Sequence, residues 1–383
     1  MNHYKRILID GRFVGVGDSV SRQTLETTKA VIKIDQKNEY TLLLRPIGLP
    51  VAEEFFQPKP KNLNFTVLDI KHYSLAEQTK LLGYLIQKRY DLVHFMQFNH
   101  PIFYRGAFVI NVLDLTLFKS SNDYQTIKYW GLSVVMNSAI KNSKKIITVS
   151  NTSKEEIVDK YKIDPKKVVV TYLGVDSTYN LGIKSKLAAI TNFQKKYRID
   201  KDYFLYTGMW KKHKNLDRLL EAFYDFRLEN PDFKNQLVIV GKADKNEPQI
   251  IKKIESINQR IRSKAVIVTG FVPEPELPIA YVGALFYITP SLSEGFGLTP
   301  LEAIACGTPV AAARISATPE ILGDAAHYFD PYDVKNIKNA IKKLTIDEKL
   351  RADLREKGKQ RIKFFSWEKT GAETEAVYRS ILK

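Results

Sequence analysis

A chain of 383 residues with 59 Lys and Arg against 42 Asp and Glu, a formal net charge of +17 and one cysteine is already bounded in several ways. Its length exceeds one ordinary core and suits two domains of about 150–200 residues each. The lone cysteine excludes an internal disulfide framework and agrees with a reducing cytoplasm, and no window approaches 18 uninterrupted apolar residues, so neither a membrane span nor a signal peptide is read.

The first elements follow a strand and helix rhythm. Met1-Asn-His-Tyr-Lys-Arg6 runs into the strand Ile7-Leu-Ile9, and a glycine-bearing loop follows, Gly11-Arg-Phe-Val-Gly-Val-Gly-Asp-Ser19. Its place after a strand gives Gly15 and Gly17 weight as backbone that lines a ligand cleft, although the third glycine of the dinucleotide fingerprint is missing. Asp18, Ser19 and Arg22 are neighbours of that loop. Apolar runs at 40–44, 64–68, 92–94, 108–112, 145–149 and 168–172 alternate with longer amphipathic segments, the pattern of a parallel sheet with crossover helices.

His94 and His100, in His94-Phe-Met-Gln-Phe-Asn-His-Pro101, follow one of these strands. Two readings stand for them, lining an acceptor or being hydrogen-bonded within the fold. The segment Tyr124–Lys145 mixes Tyr129, Trp130, Leu132, Val134, Val135 and Met136 with Lys128, Lys141, Lys144 and Lys145, either a helix packed on its own domain or one that docks on an anionic lipid surface. The weakly patterned stretch 180–202 reads as a connection, helical over Thr191–Tyr197. A second series of strands follows at 204–206, 236–240, 265–269, 284–288, 309–312 and 327–329, implying two Rossmann-like domains.

Glu294-Gly-Phe-Gly-Leu-Thr-Pro-Leu-Glu302 follows the strand at 284–288. Gly295 and Gly297 let backbone approach a ligand, and Thr299-Pro300 supplies an N-cap followed by proline at the first helical position. A helix starting there turns its positive end towards the loop, which suits a diphosphate, while Glu294 and Glu302 can accept hydrogen bonds from sugar hydroxyls. Cys306, in Ala-Cys-Gly at the far end, reads as a small packing residue.

This stretch, its continuation Ala303-Ile-Ala-Cys-Gly-Thr-Pro-Val310, and the runs Ala317-Thr-Pro-Glu-Ile-Leu-Gly-Asp-Ala-Ala326 and Asp330-Pro331 resemble the retaining GT-B glycosyltransferases of family 4, including their Glu-x7-Glu signature. Tyr206-Thr-Gly208, His213-Lys-Asn-Leu216 and Leu219-Leu-Glu-Ala-Phe223 are similar to the start of that family's C-terminal domain. Ile146-Ile-Thr-Val-Ser150 and Tyr172-Leu-Gly-Val-Asp176 resemble the end of its N-terminal one, and Phe365-Ser-Trp-Glu368 the start of its last helix.

The resemblance implies an α/β fold of two Rossmann-like domains facing across a cleft: residues 1–180 binding the acceptor, 181–366 binding the nucleotide sugar, and a helix, 367–383, returning to the first domain. It implies catalytic roles for Glu294, on the donor sugar, and Lys214, on the departing diphosphate. Glu302 would take the ribose, backbone of Gly295, Phe296, Gly297, Leu298 and Thr299 the sugar and phosphate, Gly208 the phosphate loop, and Phe271 and Val272 the nucleobase. The family's usual arginine is absent from Gly208-Met-Trp-Lys-Lys-His-Lys214, leaving Lys211 or Lys212 as the second cation, and Leu113-Asp114 stands where many relatives read His-Asp, leaving Asp114 for a hydroxyl contact.

Six histidines and one cysteine offer no zinc set and no Asp-x-Asp pair closes a strand, so no metal is required. The substrates expected are a nucleotide sugar, GDP-mannose favoured over UDP-sugars, and a glycan or lipid-linked acceptor at the inner face of a membrane. Nucleic acid rests on charge alone, without zinc-finger cysteines or an arginine-rich arm. The alternatives are a noncatalytic GT-B subunit, motivated by Leu113 and Met209, and a basic adaptor with a vestigial cleft.

Overall fold

The computed structural model describes residues 4–16, 19–118, 127–179, 187–245 and 247–382. The chain divides into two compact units, Met1–Gly174 with Ser366–Lys383, and Val175–Phe365.

Among the described residues the first unit holds a seven-stranded sheet, ordered β3-β2-β1-β4-β5-β6-β7. Its strands are β1 Arg6–Asp10, β2 Glu39–Leu44, β3 Leu63–Val67, β4 Leu92–Phe95, β5 Phe108–Asn111, β6 Lys145–Thr148 and β7 Val168–Val170, and every pairing is parallel. Alternation along the strands divides the core. Ile7, Ile9, Leu42 and Leu44 pack on one face, Leu8 and Leu43 on the other with Val93, Phe95 and Ile110. Both faces are covered, which is why the strands read as continuous apolar runs.

The second unit repeats the plan with six parallel strands, β8 Tyr203–Thr207, β9 Gln236–Val240, β10 Val266–Gly270, β11 Phe286–Thr289, β12 Val310–Ala313 and β13 Ala326–Phe329, ordered β10-β9-β8-β11-β12-β13. The helix expected from Thr191 begins at Leu187 and ends at Tyr197. In each sheet the strand order reverses once, between β1 and β4 and between β8 and β11. Open α/β sheets bind ligands outside the carboxyl ends of their strands at such reversals.

The last helix, Trp367–Ile381, belongs to the first unit and packs on the helix Ser19–Ile34. A Cβ on Gly371 would fall 2.5 Å from that of Ala30, so only glycine permits this approach. No helix among the described residues is long and apolar enough to cross a membrane.

Candidate functional site

Two loops meet at the reversal in the second sheet. β8 and β11 are parallel neighbours, with Phe204 opposite Phe286, so the segments that leave their carboxyl ends, 208–215 and 290–297, start side by side. They are joined in three ways. The Leu292 amide donates to the His213 carbonyl at 2.7 Å. The Lys214 ammonium donates to Glu294 Oε1 at 2.7 Å, with both side chains about four-fifths buried, at 21% and 17% exposure. Asn215, buried, donates through Nδ2 to the carbonyls of Pro290 at 3.0 Å and Pro331 at 2.8 Å, and its Oδ1 accepts from Arg218 Nη1 at 2.9 Å. Asn215 is left-handed, with φ 58°, a conformation asparagine tolerates better than other side chains carrying a Cβ.

Burial alone would push the Glu294 carboxyl upwards. The charge and hydrogen bond of Lys214, a hydrogen bond from Ser291 and the charge of His213 outweigh it and hold Glu294 below the ordinary glutamate range. Glu294 is therefore an anion fixed beside an ammonium that has further N–H donors to give.

The helix after the loop is Leu298–Ala305, and its N-cap is Gly297 at φ 87°. This corrects the expectation that Thr299 caps it and Pro300 takes the first position. The glycine adopts the left-handed turn that starts the helix one residue before Thr299, and the threonine hydroxyl instead accepts from Tyr287 at 2.9 Å. A cap without a side chain leaves first-turn amides to an acceptor from outside the helix. Gly295 and Leu298 lie in the same turn, while the Phe296 ring is buried edge-on against Phe365, 5.7 Å between centroids, so this residue has only backbone to offer a ligand.

Glu302 is 6% exposed, and its Oε2 accepts from Tyr281 Oη at 3.0 Å. The Tyr281 hydroxyl also meets Thr207 Oγ1 at 2.9 Å. Burial first, then the Glu302 charge, hold the Tyr281 phenol well above its usual range, so it stays a proton donor.

Gly208 sits at the end of β8 with φ 146°, and a Cβ on Gly241, at the end of β9, would fall 2.3 Å from the Gly208 carbonyl oxygen. The two glycines therefore let β8 and β9 backbone approach closely at this edge. Lys211 pairs with Asp244 at 2.7 Å, and the neighbouring Met209 is exposed. Phe271 is also exposed, with the Lys242 ammonium 5.5 Å from its ring centre, whereas Val272 is buried.

The candidates of the first unit are not gathered in this way. Gly15 takes φ 84°, with the Ile47 carbonyl oxygen 2.6 Å from the position of a Cβ, and Gly17 lies outside the described residues. Asp114 accepts from the Thr116 amide at 2.8 Å, capping a turn. His94 does not line an acceptor surface. It is 1% exposed, its Nε2 meets Asn111 Oδ1 at 2.7 Å and its Nδ1 meets Tyr378 Oη at 2.6 Å. An amide oxygen only accepts, so Nε2 carries the proton and Nδ1 accepts from the phenol. His100 is buried too, between the Phe98 carbonyl and Ser138. The sequence could not separate the two histidine readings because the partners, Asn111 and Tyr378, come from elsewhere in the chain.

Sequence reasoning missed Asn215, Tyr281 and Asp244. It also missed a buried cluster in the first unit, in which Arg12 Nη2 lies 2.7 Å from Asp10 and 2.9 Å from Glu77, with Asn99 donating to Glu77 at 2.6 Å. The available signal was Asp10-Gly-Arg12 at a strand end and an asparagine directly before the helix Leu216–Glu229. Among the described residues no group of three or more His, Cys, Asp or Glu is placed to hold a metal.

Residues 189–361 match the family model described as glycosyl transferases group 1, and residues 20–179 match that of glycosyltransferase family 4. The O-antigen chain mannosyltransferase B of Escherichia coli is 30% identical over 245 residues, 64% of this chain and 62% of that protein. The O-antigen chain mannosyltransferase RfbU of Salmonella typhimurium is 29% identical over 212 residues, 55% of this chain and 53% of its own length. The matched stretch thus spans less than two thirds of these relatives. Among solved structures, Anabaena HepE in complex with UDP and glucose superposes with a TM-score of 0.78 at 16% identity, covering 98% of this chain and 100% of that one. A glycosyltransferase from Rickettsia africae gives 0.73 at 18% identity with both chains fully covered. Likeness at this identity is one of fold, the two-unit GT-B architecture.

Proposed function

The chain belongs to the family 4 glycosyltransferases of group 1, and from that premise we propose that it moves a hexosyl group, mannose favoured, from a nucleotide sugar to a hydroxyl of a glycan or lipid-linked glycan in surface polysaccharide synthesis, with the anomeric configuration retained. The observation that carries the reading is the pairing of Lys214 with Glu294 at the β8/β11 reversal, beside a helix start capped only by glycine. Mannose is favoured by the two O-antigen mannosyltransferases to which the chain is similar.

In this reading the donor diphosphate lies over Gly208 and the first turn of Leu298–Ala305. Lys214 holds Glu294 with one N–H and turns another to the leaving phosphate, where negative charge grows as the glycosidic bond breaks, so it stabilises the transition state more than the ground state. Glu294 accepts from hydroxyls of the transferred sugar and Glu302 from the ribose. The donor's own phosphate takes the proton of the acceptor hydroxyl on the face from which it departs, and no step is routed through a metal. Asp114 and the Gly15 loop are assigned to the acceptor.

The test is thermal stability against UDP-, GDP- and ADP-sugars, since a ligand at about 100 times its Kd stabilises by roughly 2.7 kcal/mol. A shift with GDP-mannose, followed by an α-linked product in proton NMR, is the expected result. Inversion at the anomeric carbon overturns the retaining mechanism, and a shift confined to another donor overturns the choice of sugar.

A further inference from the structure

In the second unit three elements meet at one hydroxyl. Thr207 ends β8 and is buried, Tyr287 lies on β11 and Tyr281 on the helix Leu277–Val282, and both tyrosines are fully buried. Thr207 Oγ1 is 2.9 Å from Tyr281 Oη and 3.3 Å from Tyr287 Oη, and the two rings stand edge to face with 5.6 Å between centroids. The phenols reach the helix Leu298–Ala305 at two places. Tyr281 donates to Glu302 Oε2 at 3.0 Å and Tyr287 to Thr299 Oγ1 at 2.9 Å. Residues three apart on a helix share a face, so one network centred on Thr207 holds both of these side chains.

The protons of this network can be placed. A carboxylate only accepts, so Tyr281 gives its proton to Glu302 and its oxygen accepts from Thr207. That uses the single hydroxyl proton of Thr207. Tyr287 keeps its own proton for Thr299, the nearer of its two acceptors, the other being the Thr207 carbonyl at 3.4 Å. Thr299 Oγ1 thus accepts one hydrogen bond and still has a proton to give. Among the described residues none takes it, and the side chain is half-buried in the first turn of a helix capped by Gly297.

On the premise that the second unit takes a nucleotide sugar, the reading proposed above, we infer that Thr207 is a positioning residue that sets two donor contacts together: Glu302 accepting from the ribose, and the Thr299 hydroxyl donating to the diphosphate. The diphosphate is the part of the donor richest in acceptors, and in the proposed pose it lies over this first turn, where a hydroxyl with a proton to give complements it. Thr207 itself is buried and acts through the phenols. Valine in its place keeps the volume, takes from Tyr281 Oη the bond it accepts, and loosens Tyr287 as well.

The test is calorimetric titration of the full chain and its variants with GDP and UDP, and with the 2′- and 3′-deoxy forms of each. One hydrogen bond to a charged group is worth about tenfold in affinity. Thr299→Val should therefore raise the Kd about tenfold for ribose and deoxyribose nucleotides alike, while Thr299→Ser stays near the unaltered chain. Thr207→Val should raise the Kd about tenfold for the ribose nucleotide and by a smaller factor, still above one, for the deoxy form that lacks the Glu302 contact. Thr207→Ser should restore both. Adding Thr207→Val to Tyr281→Phe should cost less than the two single losses multiplied. Thermal midpoints report folding, and Thr299→Val, at a half-buried position, tests the diphosphate contact even if Thr207→Val unfolds. Unchanged affinity in Thr207→Val or Thr299→Val, equal losses for valine and serine, or a Thr207→Val loss confined to one of the two contacts overturns the inference while leaving the donor reading intact. Failure of the unaltered chain to bind either diphosphate overturns the donor reading, and this inference with it.

Discussion

Lys214 and Glu294 come from loops 80 residues apart in sequence and meet at 2.7 Å because the strands before them, β8 and β11, are parallel neighbours. Neither charge is fully hydrated, so each is the other's counter-ion until a ligand arrives. Lys214→Ala and Glu294→Ala should each lower transfer by about 100- to 1,000-fold, the usual cost of removing a group that stabilises developing charge. The loss of folding stability should be on the order of 1–2 kcal/mol, since the pair is partly exposed. Steady-state kinetics beside thermal unfolding separates the two effects, and near-normal turnover in both variants would sink the assignment.

Asn215 makes a second prediction, independent of any charge. Asn215→Gly keeps the left-handed backbone but loses the bonds to Pro290, Pro331 and Arg218, so the two loops lose a tie and the KM for the donor should rise about tenfold with a smaller change in kcat. Asn215→Asp is the more damaging change, because a carboxylate would face two carbonyl oxygens that the amide now donates to. If the glycine variant is the worse of the two, the bond that Oδ1 accepts from Arg218, which a carboxylate keeps, sets the role of this residue and not the amide's donation to the carbonyls.

Much of this site was legible before any coordinates. Glu294, Glu302, the glycines between them and Lys214 stand in short contiguous motifs, and the strands read as apolar runs because both faces of each sheet are covered. What was not legible are relations between distant segments. Thr299 looked like a helix cap because serine and threonine are common ones, yet Gly297 took the left-handed turn and released the hydroxyl to Tyr287. The partner of Lys211, Asp244, follows β9 and could not be read from the loop that holds the lysine. His94 carried no sign in its own sequence of the tyrosine 284 residues further on that fixes it.

That histidine gives the chain a pH response. Burial pushes the His94 ring down to about 4, against about 6.5 in an unfolded chain. On acidification the unfolded chain takes up this proton first, so stability falls as pH drops from about 6.5 towards about 4, at up to about 1.4 kcal/mol per pH unit. His72 and His100, both lowered to about 4 chiefly by burial, act in the same direction. Glu294 adds its loss from the ordinary glutamate range downwards, because there the unfolded chain takes up the proton while the folded carboxyl stays ionised. Thermal midpoints at pH 7, 6 and 5 should decline, and His94→Asn should decline less steeply; equal slopes would mean that the folded ring titrates as it does in the unfolded chain.

Tyr281 offers the sharpest test of what Glu302 is for. The phenol donates to Glu302 Oε2 at 3.0 Å and contacts Thr207 at 2.9 Å, so it ties the carboxylate to the end of β8 while reaching no proposed reacting atom. Tyr281→Phe keeps the ring and removes one donor to a buried carboxylate, a bond worth about 1.5–3 kcal/mol. If Glu302 holds the ribose, the loss should appear as a ten- to hundredfold rise in donor KM, with kcat little changed. It should also shrink when the donor is a nucleotide sugar lacking a ribose hydroxyl, because the contact weakened by the mutation is then already absent. A penalty of the same size for intact and deoxy donors would place Glu302 in the fold and not on the ribose, leaving Glu294 as the one carboxylate of the pair that meets the substrate.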